Sequence, residues 1–198
     1  MKACKIVMVA VGGQGNLLAC RVLGEAALAL NIPVHMSEIH GMAQRGGVVE
    51  ASVILGYVES FTISDGDADV LISFEPLETI RAMNRCNKDT VVITNTNPLP
   101  PVNVSIGMGI YPDIQKAFKQ MEPRVKSLVV LDAAKLAEEA GTIMAVNMVF
   151  LGALARTGVV PFSTDDIKKA ITDRTKKGFH GMNLKAFDLG FDYGVQGE

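Results

Sequence analysis

Residues 6–16 read IVMVAVGGQGN, six apolar residues followed at once by a glycine-rich turn. The apolar run predicts a buried β-strand, and residues 17–30 carry the pattern of a helix directly after it. Glycines let backbone N–H groups approach an anion, and the start of the next helix directs its positive dipole end at the same point. The stretch therefore predicts a phosphate-binding strand–turn–helix unit, with a tight turn that holds no ligand as the alternative.

The turn carries only part of the dinucleotide-binding fingerprint. Gly13-Gln14-Gly15 supplies G-x-G, but Leu18 stands where the third glycine would fall. Arg21 follows between one and two turns along the helix, where a cation can reach a phosphate or an acidic partner; an ordinary surface arginine is the alternative. The candidate cofactor-binding residues are Gly12, Gly13, Gln14, Gly15, Asn16 and Arg21.

A second glycine-bearing segment, SEIHGMAQRGG at residues 37–47, is too polar for a core and too long for a minimal turn. We expect a loop beside the first turn that serves an interface or substrate access, with a solvated loop as the alternative. Glu38 falls near the place of a ribose-binding acid, which keeps a nicotinamide cofactor open. His40 can act as a general base or as a hydrogen-bonding residue. The candidate residues of this loop are Glu38, His40, Gln44, Arg45, Gly46 and Gly47.

Alternating β-branched runs and helical patterns predict an α/β fold: Rossmann-like, a mostly parallel sheet flanked by helices, with a helical C-terminal third. The length and the 48% hydrophobic content predict one domain spanning residues 1–198. Strands are expected at residues 5–11, 34–36, 48–55, 69–74, 90–95 and 127–131. Helices are expected at residues 17–30, 77–85, 133–140, 143–156, 165–175 and 183–191.

Three segments carry more specific expectations. Residues 48–55 alternate less cleanly than the other strands and are expected at an edge of the sheet. Residues 97–110 are rich in proline and glycine, so we expect an extended connection there with one short strand, serving as an insertion or binding loop. Residues 147–154 predict a core helix, with an interface as the alternative.

Composition excludes several classes of protein. A formal charge of −2 supplies no broad cationic surface, so we expect no nucleic-acid partner. No run approaches the roughly 20 apolar residues of a membrane span, and the N-terminus lacks a signal-peptidase-type ending, so we expect a cytoplasmic protein. Cys4, Cys20 and Cys86 are widely separated and cannot furnish the four cysteines of an iron–sulfur cluster. No spacing of His, Asp and Glu is typical of a metal site.

Four segments together resemble the gamma-type domain of 2-oxoacid:ferredoxin oxidoreductases: residues 12–15, 37–47, 69–78 and 147–154. The resemblance spans nearly the whole chain. The loop of the form His-Gly-Met-x-Gln-Arg-Gly-Gly, with a glutamate before it, is similar to the loop in the beta subunit of indolepyruvate:ferredoxin oxidoreductase.

The resemblance implies a subunit, inactive alone, of a complex that oxidatively decarboxylates a 2-oxoacid, forms an acyl-CoA and passes two electrons to ferredoxin. Thiamine diphosphate, Mg²⁺ and the 4Fe-4S clusters are then held by an alpha-type partner subunit, and coenzyme A is the co-substrate. By the same resemblance Gly12, Gly13 and Gly15 form a turn at the coenzyme A entry. Arg21 matches a basic position associated with coenzyme A there, and Gln44 and Arg45 face the partner.

Aryl pyruvates lead the candidate substrates: indolepyruvate, phenylpyruvate and hydroxyphenylpyruvate. Pyruvate, 2-oxoglutarate and branched-chain 2-oxoacids remain open. Two other functions also stay open at this point. One is a stand-alone nicotinamide-dependent dehydrogenase, which the strand–turn–helix start favours. The other is a non-enzymatic regulatory or assembly module with the same fold.

Overall fold

Six β-strands form one mixed sheet in the computed structural model, which describes residues 2–41 and 47–193. The strands lie in the order β2-β3-β1-β4-β5-β6, and all but β3 run in the same direction. This arrangement confirms the predicted α/β class with a mostly parallel sheet. The strands are β1 (Cys4–Val11), β2 (Val34–His40), β3 (Val48–Leu55), β4 (Val70–Ser73), β5 (Val91–Asn95) and β6 (Ser127–Leu131).

Helices fill the connections and dominate the C-terminal third, as predicted. They are α1 (Asn16–Ala29), α2 (Pro76–Arg81), α3 (Val102–Ser105), α4 (Ile114–Met121), α5 (Ala133–Ala140), α6 (Val146–Arg156), α7 (Thr164–Arg174) and α8 (His180–Tyr193). Local chemistry sets their starts, because at α7 the Ser163 hydroxyl accepts from the Asp166 N–H and the Asp166 carboxylate accepts from the Ser163 N–H. Throughout the described ranges, every helix is too short or too polar to span a bilayer.

The two faces of the sheet are covered unequally. Helices α1 and α5 to α8 pack on one face and form the larger core, whose largest buried side chains include Phe74, Phe150 and Phe187. The second face carries a smaller apolar cluster built from β1, β3, β4 and β5 together with residues 58–68 and 82–86. Burial of both faces explains the nearly continuous apolar character of β1, β4 and β5.

Helix α6 is core, as residues 147–154 predict, because all eight of these residues are buried. It crosses α8 at two glycines. A Cβ built on Gly152 would lie 1.9 Å from the Phe187 carbonyl oxygen, and one built on Gly190 would lie 2.0 Å from the Val149 carbonyl oxygen. The two helix backbones therefore touch at a distance that only glycine permits.

The prediction that residues 48–55 form an edge strand is wrong. Strand β3 lies inside the sheet between β2 and β1, antiparallel to both. Its alternation looked irregular because Glu50 and Ser52 occupy the thinly covered second face. Glu50 is half-buried there and paired with Arg85, with 2.9 Å between the Nη2 and Oε1 atoms.

The edge strand on this side of the sheet is β2, and it includes residues 37–40, which we expected in a loop. An edge strand exposed on both faces has no apolar face to reveal it, so its polar residues resemble a loop in sequence. The connection at residues 97–110 contains the short helix α3 where we expected a short strand. Helix α4 had no counterpart in the sequence analysis, although Asp113 caps it by accepting from the Lys116 N–H at 3.0 Å.

Candidate functional site

The carboxyl ends of β1, β4, β5 and β6 meet at one edge of the sheet, here called the carboxyl edge: residues 11–16, 73–76, 95–99 and 131–133. The chain leaves β1 toward β2 on one side and leaves β4 toward β5 on the other. This reversal makes the gap between β1 and β4 a topological switch point, where open α/β sheets bind ligands. The predicted glycine turn lies at that point.

The two glycine-rich segments of the sequence meet here. The Gly12 N–H donates to the Gly47 carbonyl oxygen at 2.9 Å, which joins the turn after β1 to the start of β3. Gly13 and Gly15 have φ values of 97° and 85°, a left-handed backbone that disfavours other residues. Gln44, Arg45 and Gly46, the remaining predicted residues of the second segment, lie outside the described residues.

The turn presents backbone N–H donors at the start of α1. Within the described part of the chain, no residue accepts a hydrogen bond from the backbone N–H of Gly13, Gly15 or Asn16. The first turn of α1 carries no acidic side chain to oppose an anion. These three N–H groups, which have no acceptor in residues 2–41 and 47–193, and the positive end of a 14-residue helix fit the charge and donor pattern of a phosphate.

Gln14 spans the switch point with its side chain. Its Oε1 accepts from the Val11 N–H at 2.8 Å, and its Nε2 donates to the Phe74 carbonyl oxygen at 3.2 Å. The same carbonyl accepts from Asn95 Nδ2 at 3.1 Å, and Asn95 Oδ1 accepts from the Ala133 N–H at 3.2 Å. Gln14 therefore ties β1 to β4 and holds the turn in place.

Two buried asparagines support the turn from behind. Asn16 donates from Nδ2 to the Val49 carbonyl oxygen at 3.3 Å, which links the start of α1 to β3. Asn147, at the start of α6, donates from Nδ2 to the Gly15 carbonyl oxygen at 3.2 Å. Its Oδ1 is buried and has no hydrogen-bond partner among the described residues. Sequence reasoning assigned no role to Asn147; the available signal was a polar residue opening an otherwise apolar helix.

Glu38 and His40 lie near the end of β2, both exposed, with 3.4 Å between His40 Nε2 and Glu38 Oε2. Strand β3 separates β2 from β1, so these residues stand two strand spacings, about 9–10 Å, from β1. The ribose-binding acid of a nicotinamide enzyme follows a strand directly beside β1. The strand order thus moves Glu38 away from that position and weakens the dehydrogenase alternative. Arg21 is exposed in the second turn of α1.

A buried carboxylate that the sequence analysis missed lies just beyond β4. Glu75 is 1% exposed, and its Oε2 accepts from the Glu78 N–H at 3.0 Å, capping α2. Its Oε1 accepts from the Leu99 N–H at 3.1 Å and from the Tyr111 hydroxyl. Burial, together with the hydrogen bond to Glu75, raises the pKa of Tyr111. The signal in the sequence was an acidic residue directly before Pro76, at the start of a helix.

The cysteines are not arranged as metal ligands. Burial raises the pKa of the thiols of Cys4, Cys20 and Cys86 from 9.0 to about 12, so they are protonated at neutral pH. In residues 2–41 and 47–193, no three His, Cys, Asp or Glu side chains converge on a point where they could hold a metal ion.

Comparison with known proteins gives a family match over residues 5–193, to the model described as pyruvate ferredoxin/flavodoxin oxidoreductase. The chain is 41% identical to the indolepyruvate oxidoreductase subunit IorB of Pyrococcus horikoshii, covering 96% of this chain and 95% of the relative. It is 42% identical to the subunit of the same name from Thermococcus kodakarensis, with the same coverage. It is 25% identical to the pyruvate/ketoisovalerate oxidoreductases common subunit gamma of Pyrococcus abyssi, covering 91% of each chain.

Two solved structures share the fold. The gamma subunit of a keto/oxoacid ferredoxin oxidoreductase from Geobacter sulfurreducens superposes with a TM-score of 0.72 at 23% identity, covering 98% of this chain and 99% of that one. A 2-oxoglutarate:ferredoxin oxidoreductase from Magnetococcus marinus, solved with 2-oxoglutarate, coenzyme A and succinyl-CoA bound, gives 0.73 at 18% identity. That match covers 99% of this chain and 32% of the larger one.

Proposed function

The chain belongs to the pyruvate ferredoxin/flavodoxin oxidoreductase family and is a subunit of a 2-oxoacid:ferredoxin oxidoreductase, and we propose that its complex oxidises aryl pyruvates, indolepyruvate above all. The proposed substrate class rests on how much the sequence identity of this chain to its relatives differs from one relative to another. The chain is far more similar to indolepyruvate oxidoreductase subunits than to the gamma subunit named for pyruvate and ketoisovalerate.

In this proposal the 2-oxoacid loses CO₂, its acyl carbon is joined to the sulfur of coenzyme A, and two electrons leave for ferredoxin. Thiamine diphosphate, with its Mg²⁺, supplies the carbanion chemistry from an alpha-type partner subunit, which also carries the 4Fe-4S clusters. Protonated, separated thiols in this chain are consistent with clusters housed elsewhere. The role left for this chain is to bind and orient a reactant at its carboxyl edge.

We propose that the glycine turn receives a phosphate of coenzyme A. The N–H groups of Gly13, Gly15 and Asn16 supply the donors, and Gly12 fixes the turn through Gly47. Gln14 contributes by holding the turn against β4 rather than by contacting the ligand. Arg21 adds a positive charge one turn farther along α1, where its exposure leaves it free to swing toward a bound phosphate.

The second segment, with Glu38, His40, Gln44, Arg45, Gly46 and Gly47, borders substrate access and faces the partner subunit in this proposal. The support is the hydrogen bond between Gly47 and Gly12, which couples the segment to the turn. A partner that pushes on the segment would also move the turn. The three unpaired cysteines suit a reducing compartment, and we place the complex in the cytoplasm.

The test is steady-state kinetics of the complete complex, purified without oxygen, with indolepyruvate, coenzyme A and a viologen acceptor. We expect Arg21→Ala to raise the KM for coenzyme A about tenfold, because it removes one charge–phosphate contact of about 1.4 kcal/mol. Arg45→Ala should lower the activity of the complex or its affinity for coenzyme A, because its segment borders substrate access and faces the partner. Lys88→Ala is the control, since Lys88 is an exposed cation before β5, at the opposite edge of the sheet. Unchanged coenzyme A kinetics in both arginine variants would remove the proposed phosphate site.

A further inference from the structure

Asn147 is a polar residue at a position where the fold favours an apolar one. It is 3% exposed and stands second in α6, and residues 148–154 after it are all buried and are apolar or glycine. Its Oδ1 has no hydrogen-bond partner among the described residues, and burying an amide oxygen in that state lowers the stability of the chain. A leucine has nearly the same shape and would avoid this cost. The residue therefore calls for a role other than stability.

The amide of Asn147 packs directly on the glycine turn. Its Nδ2 donates to the Gly15 carbonyl oxygen at 3.2 Å, and a Cβ built on Gly15 would lie 3.0 Å from the same nitrogen. A side chain at position 15 would crowd the amide, so the absence of one there makes the room that Asn147 occupies.

The Gly15 carbonyl belongs to the same peptide unit as the Asn16 N–H, one of the three donors of the turn. The unit is planar and trans, so its oxygen and its hydrogen point in opposite directions. The Leu18 and Ala19 N–H groups of α1 also donate to this oxygen, at 3.1 and 3.3 Å, and fix it within the helix. Asn147 adds a donor from a different helix, which fixes the Asn16 N–H relative to the core of the molecule.

A hydrogen bond to the oxygen of a peptide unit also polarises its N–H group, because bonds in such a chain strengthen one another. The chain here runs from Asn147 Nδ2 to the Gly15 carbonyl and, through the peptide unit, to the Asn16 N–H. The Asn16 side chain is held separately, since its Nδ2 donates to the Val49 carbonyl oxygen at 3.3 Å. A ligand at this N–H would thus meet a donor that groups behind it orient and strengthen.

We propose that Asn147 is a positioning residue for coenzyme A, which raises the affinity of the glycine turn for a phosphate through the peptide unit between Gly15 and Asn16. The inference rests on the proposed function, which places a phosphate of coenzyme A at that turn. Asn147 lies behind the turn and acts through it. Its loss should weaken binding of the phosphate-bearing half of coenzyme A and leave oxidation of the 2-oxoacid unchanged, because the partner subunit supplies that chemistry.

The experiment compares the complete complex containing Asn147→Leu with the wild-type complex, both purified without oxygen. Equilibrium dialysis gives the Kd for coenzyme A and for adenosine 3′-phosphate 5′-diphosphate, which has the phosphates of coenzyme A but not its thiol arm. Both Kd values and the KM for coenzyme A should rise about fivefold, since one hydrogen bond of ordinary net strength is lost. The kcat, the KM for indolepyruvate and the thermal midpoint should stay unchanged, which a merely structural role would not allow.

Asn183→Leu is the matched control. Asn183 is also a buried asparagine, 7% exposed, but it lies in α8 beyond the point where Phe187 meets Gly152, on the side away from the turn. This variant should leave both Kd values at the wild-type level.

Unchanged Kd values in Asn147→Leu would overturn the inference, and so would an equal rise in Asn183→Leu. If Asn147→Leu does not assemble, Asn147→Ala is measured in its place with the same expectation for the Kd values. Failure of both variants to assemble would assign the residue to stability and overturn the inference. The proposed function fails separately: a wild-type complex that binds neither ligand overturns the coenzyme A site together with this inference, whereas normal wild-type binding with an unaffected Asn147→Leu overturns this inference alone.

Discussion

Gln14 illustrates how one side chain joins the two halves of the sheet at the residue scale. Its amide satisfies the Val11 N–H on one side of the switch point and the Phe74 carbonyl on the other. Gln14→Leu keeps a similar volume but leaves the Val11 donor without its acceptor. We expect the free energy of unfolding to fall by about 1–2 kcal/mol in urea titrations of the isolated chain.

Gln115→Leu is the control for that substitution, because Gln115 is an exposed residue of α4. It should change the unfolding free energy by less than about 0.5 kcal/mol. Equal midpoints for the two variants would mean that the amide bridge adds nothing to stability.

The buried thiols predict a loss of stability at alkaline pH. An unfolded chain ionises its cysteines near pH 9, whereas the folded chain keeps Cys20 protonated because burial raises its pKa to about 12. The folded state therefore holds the extra proton, and stability falls as pH rises above 9. One such thiol lowers the free energy of unfolding at pH 10 by about 1.4 kcal/mol relative to neutral pH.

Cys20→Ala should remove the part of the stability loss above pH 9 that the Cys20 thiol causes. The measurement is the change in unfolding free energy between pH 7.5 and pH 10, made for the wild type and for the variant. The cost of the smaller side chain is the same at both pH values, so it cancels in this change. The variant should lose about 1.4 kcal/mol less than the wild type over this interval. The same loss in both proteins would show that the Cys20 thiol ionises at an ordinary pH in the folded chain.

At the scale of elements, the crossing of α6 and α8 depends on two glycines with no room for a methyl group. Gly190→Ala would place a carbon 2.0 Å from the Val149 carbonyl oxygen, so the helices must separate. We expect a loss of more than about 3 kcal/mol, or no soluble protein at all. Gly181→Ala in the same helix meets nothing within 4 Å and should be neutral or slightly stabilising. Equal thermal midpoints for the two variants would contradict the close crossing.

Elements whose type and bounds are set by local sequence patterns could be predicted from the sequence. Strand β6 and helix α5 occupy the predicted residues, because an apolar run and an Asp132 N-cap mark them locally. The bounds of β3 match the prediction too. What local patterns could not predict is the hairpin, in which β3 lies inside the sheet and β2 extends to His40. The polar residues of β2 are tolerated because that strand is exposed, and Glu50 of β3 is tolerated because it pairs with Arg85, which is distant in sequence. Neither condition is visible in the local pattern.

The candidate site divides along the same line. The glycine turn is a local structure, and its sequence alone predicted the strand–turn–helix unit that the structure shows there, while anion binding at the turn stays a prediction. Asn147 reaches the turn from 132 residues away, and Glu75 holds Tyr111 from 36 residues away. Such supports depend on how α6 and residues 97–112 pack, so only the folded chain reveals them.

At the scale of the whole molecule, the carboxyl edge gathers the glycine turn, the junction of Gly12 with Gly47, and the buried Glu75, which accepts from the Leu99 N–H and the Tyr111 hydroxyl. One edge thus combines the proposed coenzyme A site with the segment that is proposed to face the partner. This concentration is what a subunit needs if it completes a site whose cofactor lies in another chain.

The most direct test of this account is an omission experiment under anaerobic conditions. The thiamine-binding partner is assayed alone, and then with this chain, for viologen reduction by indolepyruvate in the presence and absence of coenzyme A. We predict little activity from either chain alone and full activity, dependent on coenzyme A, when the two are combined. Equal activity of the partner without this chain, or nicotinamide-dependent activity of this chain by itself, would contradict the account.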